Sequence, residues 1–239
     1  DNEICEITKD SVKVYDEFGK RVVKKTYVVD WDVSQAEKSG FEHFMLKEIF
    51  EQPRALNDTL MTRVKNGRID LSADGIKEDM LRGVKRITVV ACGTAAHAGY
   101  AGRTVIEKLA KIPTQVDIAS EFRYRDPIIE KDELVIVISQ SGQTADTIEA
   151  MREAKRRGAK TLAITNVVGS TVSIEADAVL HTRAGVEIAV ASTKAYITQL
   201  MALYMIALEL GRINGVLSED KYSYYLEELE GMSEKSKLM

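Results

Sequence analysis

Residues 134–144 read Leu134-Val135-Ile136-Val137-Ile138-Ser139-Gln140-Ser141-Gly142-Gln143-Thr144, and Ala145-Asp146-Thr147-Ile148-Glu149 follow directly. Five consecutive apolar, mostly β-branched residues ending at a Ser/Gly turn predict a strand buried on both faces, the habit of a parallel sheet covered by helices. Ser139, Ser141 and Thr144 then set three hydroxyls around the permissive Gly142 at the mouth of a helix. The first N–H groups of that helix have no intrahelical partner and lie at the positive end of its dipole. Together these groups predict an anion site built without a cation and suited to a phosphate. An ordinary N-cap would draw on the same residue types. One cap needs one hydroxyl, whereas this turn supplies three, beside a glycine that lets a ligand approach the backbone. Asp146 and Glu149 in the first turn, and Lys155, Arg156 and Arg157 before Gly158, complement the dipole at both ends. The turn lacks the Lys-Ser/Thr pair of a Walker loop and the glycine spacing of a dinucleotide fingerprint, so a phosphomonoester fits better than a nucleotide.

On either side of this stretch, strand and helix patterns alternate. Ile87 to Ala91 predicts a strand that runs into Cys92-Gly93-Thr94 and then a helix to about Ala110. Gln115 to Ile118, Thr161 to Ile164 and Ala178 to His181 predict further strands, and Ser192 to Arg212 a long apolar helix. Strands separated by helices of this length imply right-handed crossovers, and hence an α/β fold: a three-layer α/β/α sandwich around a five-stranded parallel sheet. Ligands of such sheets bind beyond the carboxyl ends of the strands. Three polar strand ends are therefore candidates: 92–94, 139–144 and Thr165-Asn166.

The flanks differ. Glu3 to Thr8, Val12 to Tyr15 and Val22 to Val29 read as short strands, with Asp16-Glu17-Phe18-Gly19 as a turn. Such a β segment is too small for a core of its own. Ser34 to Gly40 is a polar connector; a helix is predicted from His43, and a second beyond Pro53 that should end near Gly67. Residues 74–86 predict a short helix before the first core strand. Ser218 begins an amphipathic helix through Tyr222, Tyr225, Leu226 and Leu229, after which the pattern is lost.

With 239 residues, 45% of them hydrophobic, the chain can hold one large domain and an appendage. A net charge of −4 without a basic stripe argues against nucleic acid or an anionic membrane as main partner. The apolar run from Leu200 to Leu208, bounded by Gln199 and Glu209, is too short to span a bilayer. Two cysteines and no visible signal peptide lead to the expectation of a reducing, cytoplasmic setting.

Cys92 and His97 are too far apart along one helix start for a nucleophile and its base, so Cys92 reads as a pocket-lining residue. His43, His97 and His181 have no metal-ligand spacing, no metal or cofactor is expected, and His181 reads as structural. Lys194, close behind the expected cap Ser192, opposes the helix dipole. It points either to an anionic ligand or to an ion pair with Glu187. Glu187 itself precedes Ile188-Ala189-Val190-Ala191-Ser192, a small-residue loop able to close over a ligand; it also suits a plain solvated acid.

Cys92-Gly93-Thr94, Ser120-Glu121-Phe122-Arg123-Tyr124-Arg125, Ser139 to Thr147 and Glu187 to Ala195 together resemble one family. They look like the first sugar-isomerase (SIS) domain of the glutamine–fructose-6-phosphate aminotransferases. Lys47 to Pro53 is similar to the start of that family's isomerase half, and residues 1 to about 30 resemble the last strands of its glutaminase domain. The resemblance implies 1–32 as the end of a glutaminase domain, 33–72 as linker and leading helices, 73–215 as the SIS domain, and 216–239 as a connector toward a second SIS domain.

The resemblance also implies roles. Ser139, Gln140, Ser141 and Thr144 match positions that hold the sugar phosphate, in agreement with the hydroxyl cradle. Cys92, Gly93 and Thr94 match the first pocket strand end, and Val190 and Ser192 the loop that contacts the sugar. Ala95 departs from members that carry Ser there. The family's enzyme passes glutamine-derived ammonia to fructose 6-phosphate and isomerises the imine to glucosamine 6-phosphate, with the isomerising base, the ring-opening histidine and a sugar-contacting lysine in the second SIS domain and C-terminal tail. The expectation is thus a phosphosugar-binding part that turns over nothing alone, and a homodimer. A phosphosugar-sensing regulator would carry a basic helix-turn-helix where residues 1–30 read as strands. A stand-alone isomerase would need an acid–base pair, for which Glu187 and His97 are the candidates.

Overall fold

The computed structural model describes residues 2–27 and 37–238, which divide into units at 1–30 and 31–239. In the first unit, β1 (Ile4–Ile7), β2 (Val12–Tyr15) and β3 (Arg21–Val22) pair antiparallel in that order. Asp16 shapes the expected turn, its Oδ1 accepting from the N–H groups of Phe18 at 3.0 Å and Lys20 at 2.8 Å. The third strand stops at Val22 rather than Val29, and residues 28 and 29 lie outside the described residues. Ile4, Ile7 and Val12 are exposed.

The second unit begins with α1 (Phe44–Phe50) and α2 (Gln52–Met61), the latter with Pro53 in its first turn, where a missing N–H costs nothing. The helix expected to reach Gly67 ends at Met61 instead. Asn66 and Gly67, at φ 52° and 70°, turn a small hairpin of β4 (Val64–Lys65) and β5 (Arg68–Ile69). Asn-Gly is the favoured two-residue hairpin turn, and here it prevails over helical spacing. A single 3₁₀ turn, Ser72–Asp74, and α3 (Glu78–Leu81) stand where one short helix was expected.

The alternating region follows as β6 (Arg86–Ala91), α4 (Gly93–Ala110), β7 (Thr114–Ile118), α5 (Ala119–Tyr124), β8 (Glu133–Ser139), α6 (Ala145–Arg156), β9 (Lys160–Thr165), α7 (Thr171–Glu175), β10 (Ala178–His181) and α8 (Lys194–Ile213). The five strands are parallel in the order β10-β9-β8-β6-β7. Alternate residues of β8 feed opposite layers: Leu134, Ile136 and Ile138 join the core with α4 and α8, and Val135 and Val137 the core with α5 and α6. The expected three-layer sandwich is the observed one. Because β6 has β7 on one side and β8 on the other, successive connections run in opposite directions from it. The crevice beyond the carboxyl ends of β6 and β8 is therefore the switch point where such sheets bind ligands.

α8, apolar nearly all round, is central, with fourteen of its residues buried. It lies close on α4: a Cβ on Gly102 would stand 2.6 Å from Leu203 Cδ1. α9 (Glu219–Glu230), capped by the Ser218 hydroxyl, buries Tyr222 and Leu226 on the same core. The Tyr222 hydroxyl donates to Glu209 Oε1 at 2.7 Å and accepts from the Ile69 N–H at 2.9 Å. Beyond the lost pattern, α10 (Met232–Ser236) is tied to α2 by a hydrogen bond from Ser233 Oγ to the Pro53 carbonyl at 2.9 Å.

At the end of β10, the His181 carbonyl accepts from Arg63, whose guanidinium also donates to the Thr59 carbonyl at 2.6 Å and is held by Asp74 at 2.7 Å in a buried pair. Burial pushes the imidazole below the ordinary histidine range; Asp74 opposes this, and Arg63 and Arg183 reinforce it. The unfolded chain takes up a proton near pH 6.5 and the folded chain only at lower pH, so stability falls as pH drops below about 6.5. We expect Tm to be lower at pH 5.5 than at 7.5 and a His181→Gln variant to lose part of that difference. An unchanged difference in the variant would remove His181 as its source.

Candidate functional site

A cavity of about 230 Å³ opens at the switch point. Cys92 and Thr94 border it from the end of β6, and Ser139, Gln140, Ser141 and Thr144 from the end of β8. Glu187, Val190 and Ser192 border it from the loop before α8. The structure thus brings nine of the sequence-derived candidates to one cavity. Gly93 is not on the lining; with φ 58° it turns the chain from Cys92 into α4. Lys194 is not on it either.

The turn after β8 has a definite proton count. Ser139 Oγ, 3% exposed, accepts from the Gly142 N–H at 3.0 Å and lies 2.9 Å from Thr144 Oγ1. Two hydroxyls share that contact and one proton satisfies it, so the other proton is left to be donated. Ser141 Oγ accepts from the Gln143 N–H at 3.2 Å, which leaves its own proton free as well. Thr144 is the N-cap of α6, and the N–H groups of the first turn behind it add unsatisfied donors. α4 starts at the same cavity with no acidic residue in its first turn. Among the described residues, no Lys or Arg borders the cavity. The groups assembled are hydroxyls and helix N-termini, a donor-rich surface suited to an anion without a fixed countercharge.

Gly142 is held from behind. Its φ is 63°, its carbonyl accepts from the Val172 N–H at 3.1 Å, and a Cβ here would overlap Ser170 Oγ and stand 2.5 Å from Ser170 Cβ. Thr165-Asn166, the third candidate strand end, braces rather than lines. The Asn166 N–H donates to the Gln140 carbonyl at 3.0 Å, and its side chain accepts from the Ala184 N–H at 2.8 Å and donates to the Gly185 carbonyl at 2.7 Å.

The loop over the cavity is organised by two carboxylates. Glu187 Oε1 accepts from the N–H groups of Thr193 at 2.9 Å and Ala195 at 3.1 Å, and its Oε2 from Ser192 Oγ at 3.1 Å. It caps α8, so the N-cap is Thr193 rather than Ser192, and the capping group comes from six residues upstream. Glu48, buried in α1, accepts from the N–H groups of Ile188 at 2.6 Å and Ala189 at 3.1 Å through Oε1. Lys194 pairs with Glu51 at 2.6 Å rather than with Glu187. Its unfavourable place in the first turn is offset by those two acids.

Sequence reasoning missed Glu48, whose partners lie about 140 residues away, and Gln199, which borders the cavity from α8. For Gln199 a signal was available: an amide interrupting the apolar run of a helix buried on most sides. His97 is exposed, stacking near Tyr100 with ring centroids 6.3 Å apart, and is not on the cavity lining. Among the described residues no group of three or more His, Cys, Asp or Glu is placed to hold a metal ion, and no helix is long and apolar enough to cross a membrane.

The chain is similar to glutamine–fructose-6-phosphate aminotransferase (isomerizing) from Clostridium tetani, with 52% identity over 99% of this chain and 39% of that protein. The same enzyme from Caldanaerobacter subterraneus subsp. tengcongensis is 55% identical over 98% of this chain and 39% of its own length. The chain therefore spans about 39% of the curated relatives it matches. Among solved structures, the C-terminal domain of glucosamine-fructose-6-phosphate aminotransferase from Francisella tularensis superposes with a TM-score of 0.79 at 41% identity, over 82% of this chain and 55% of that one. Glucosamine-6-phosphate deaminase from Thermotoga maritima, at 24% identity and a TM-score of 0.60 over 77% of this chain and 53% of that one, shares the fold. The family model described as SIS domain matches residues 80–209, from α3 into α8 and across the whole parallel sheet. This chain belongs to the SIS domain family.

Proposed function

We propose that the chain is the phosphosugar-binding part of the isomerase half of an enzyme that makes glucosamine 6-phosphate from fructose 6-phosphate and glutamine-derived ammonia. The observation that carries this is the donor-rich turn of Ser139, Ser141 and Thr144 at the start of α6, in a chain half identical to such aminotransferases. In this reading the phosphate sits on those hydroxyls and the first N–H groups of α6, with Gln140 beside it. Cys92, Gly93 and Thr94 shape the wall at β6, and Val190 and Ser192 meet the sugar from the loop. Residues 73–215 are the binding domain, 1–32 the end of a glutaminase domain, 33–72 the lead-in and 216–239 a connector.

Binding is what these residues do; moving a proton between adjacent sugar carbons needs a free, positioned base. Among the described residues Glu187 is the carboxylate on the cavity, and both its oxygens are engaged, Oε1 in capping α8 and Oε2 by the Ser192 hydroxyl. In the proposed reading the base belongs to the remainder of the enzyme, and this chain alone turns over nothing. A homodimer and a cytoplasmic setting belong to the same reading and rest on the family resemblance.

The test is calorimetric titration of the 239-residue chain with fructose 6-phosphate and glucosamine 6-phosphate, beside a Ser139→Ala/Ser141→Ala variant. Two hydrogen bonds to a charged group, at about 1.5–3 kcal/mol each, make saturable binding fall by two orders of magnitude or more in the variant. Equal affinity in both proteins, or no binding by a folded chain, would refute the reading.

A further inference from the structure

Six buried side-chain polar atoms lack a hydrogen-bond partner among the described residues, and three of them gather around the cavity's loop: Glu48 Oε2, Thr193 Oγ1 and Gln199 Oε1. Glu48 has its other oxygen engaged by the loop, and Thr193, the N-cap of α8, does not border the cavity. Gln199 is different. It is 2% exposed, its residue borders the cavity, and its carbonyl oxygen meets neither a protein donor nor solvent. A buried amide left in this way carries a desolvation cost that a Leu or Met in the same apolar helix would not incur.

We propose that Gln199 is a sugar-recognising residue of the cavity, its amide hydrogen-bonding a hydroxyl of the polyol chain of a bound phosphosugar. The inference deepens the reading above and rests on it. The amide torsion χ3 is broad and roughly two-fold, so rotation about it exchanges the positions of the oxygen and the nitrogen at the cavity wall. A carbonyl acceptor has nothing to offer a phosphate dianion, which is itself acceptor-only. It suits a hydroxyl, which donates to the amide oxygen and can accept from the amide nitrogen. The cavity is thereby polar in a directed sense. Donors from Ser139, Ser141 and Thr144 face the phosphate at one side, and the Gln199 acceptor faces the sugar at α8. This axis orients the ligand and favours polyol phosphates over phosphate alone.

The test compares the wild-type chain with Gln199→Met, which keeps the length and apolar stem, and with Gln199→Leu as a second packing control. Calorimetry with fructose 6-phosphate, glucosamine 6-phosphate and inorganic phosphate is paired with thermal melts. Both variants are expected to bind the phosphosugars on the order of tenfold more weakly, with unchanged affinity for inorganic phosphate. Their Tm should be unchanged or about 2–4 °C higher, since an unpaired polar group has been removed. Undiminished phosphosugar affinity in the variants would overturn the assignment. So would a parallel loss of phosphate affinity and Tm, the mark of a packing role. Failure of the wild-type chain to bind any phosphosugar would overturn this inference together with the proposed function, whereas the first two outcomes leave that function standing.

Discussion

Gly142→Ala is expected to disrupt the turn between β8 and α6 and to abolish phosphosugar binding. Two costs add. The backbone at φ 63° is left-handed, which disfavours any residue with a Cβ by about 1–2 kcal/mol. The added methyl would also overlap Ser170 Oγ and stand 2.9 Å from Thr165 Oγ1, and relieving such a clash in a packed site costs about 1–3 kcal/mol more. Relief means moving the turn in which the Ser139 and Thr144 hydroxyls lie 2.9 Å apart. Denaturant titration should show a loss of about 3 kcal/mol, and calorimetry no measurable binding of fructose 6-phosphate. Gly142→Asn separates the causes, because asparagine tolerates the left-handed region yet keeps the Cβ. If Asn at 142 restores wild-type stability, backbone strain and not the close approach to Ser170 is what demands glycine.

The second large effect is expected at Glu48, which is not on the cavity lining but accepts from the N–H of Ala189, which is. Glu48→Ala strands the N–H groups of Ile188 and Ala189, each worth about 1–3 kcal/mol when left unsatisfied. The loop that carries Val190 and Ser192 then loses its attachment to α1, and phosphosugar affinity falls with it. Hydrogen exchange at the amides of 188 and 189 should accelerate by about two orders of magnitude, and Tm should drop by several degrees. Glu48→Gln keeps an acceptor in the same place and should recover most of both. Unaltered exchange at those amides in Glu48→Ala would show that the loop is held by Glu187 and its own chain.

Both effects reach the site from outside local sequence, although the site's centre did not. The run from Leu134 to Ile138 could only be a doubly buried strand, because period and β-branching are properties of adjacent residues. The three hydroxyls after it could likewise be read in place. The Asn66-Gly67 hairpin shows how a local reading can still err: helical spacing from Ala55 to Val64 concealed a turn signal that was itself local.

What the chain determined by itself was therefore whatever neighbours along it decide: the five parallel strands, the α/β alternation, the hydroxyl turn with its glycine, and the motif series that marks an SIS domain. Tertiary structure alone decided which strand ends meet, since the order β10-β9-β8-β6-β7 sets Cys92 beside Ser139 and leaves Thr165-Asn166 behind as a brace. It also decided the partners of the buried charges. Lys194 found Glu51 and the 188–189 backbone found Glu48, across separations of 143 and about 140 residues. Burial makes such pairings obligatory, because a polar group removed from water must be satisfied by whichever group packing brings within reach. The type of group needed is written locally, while its address is set by the fold.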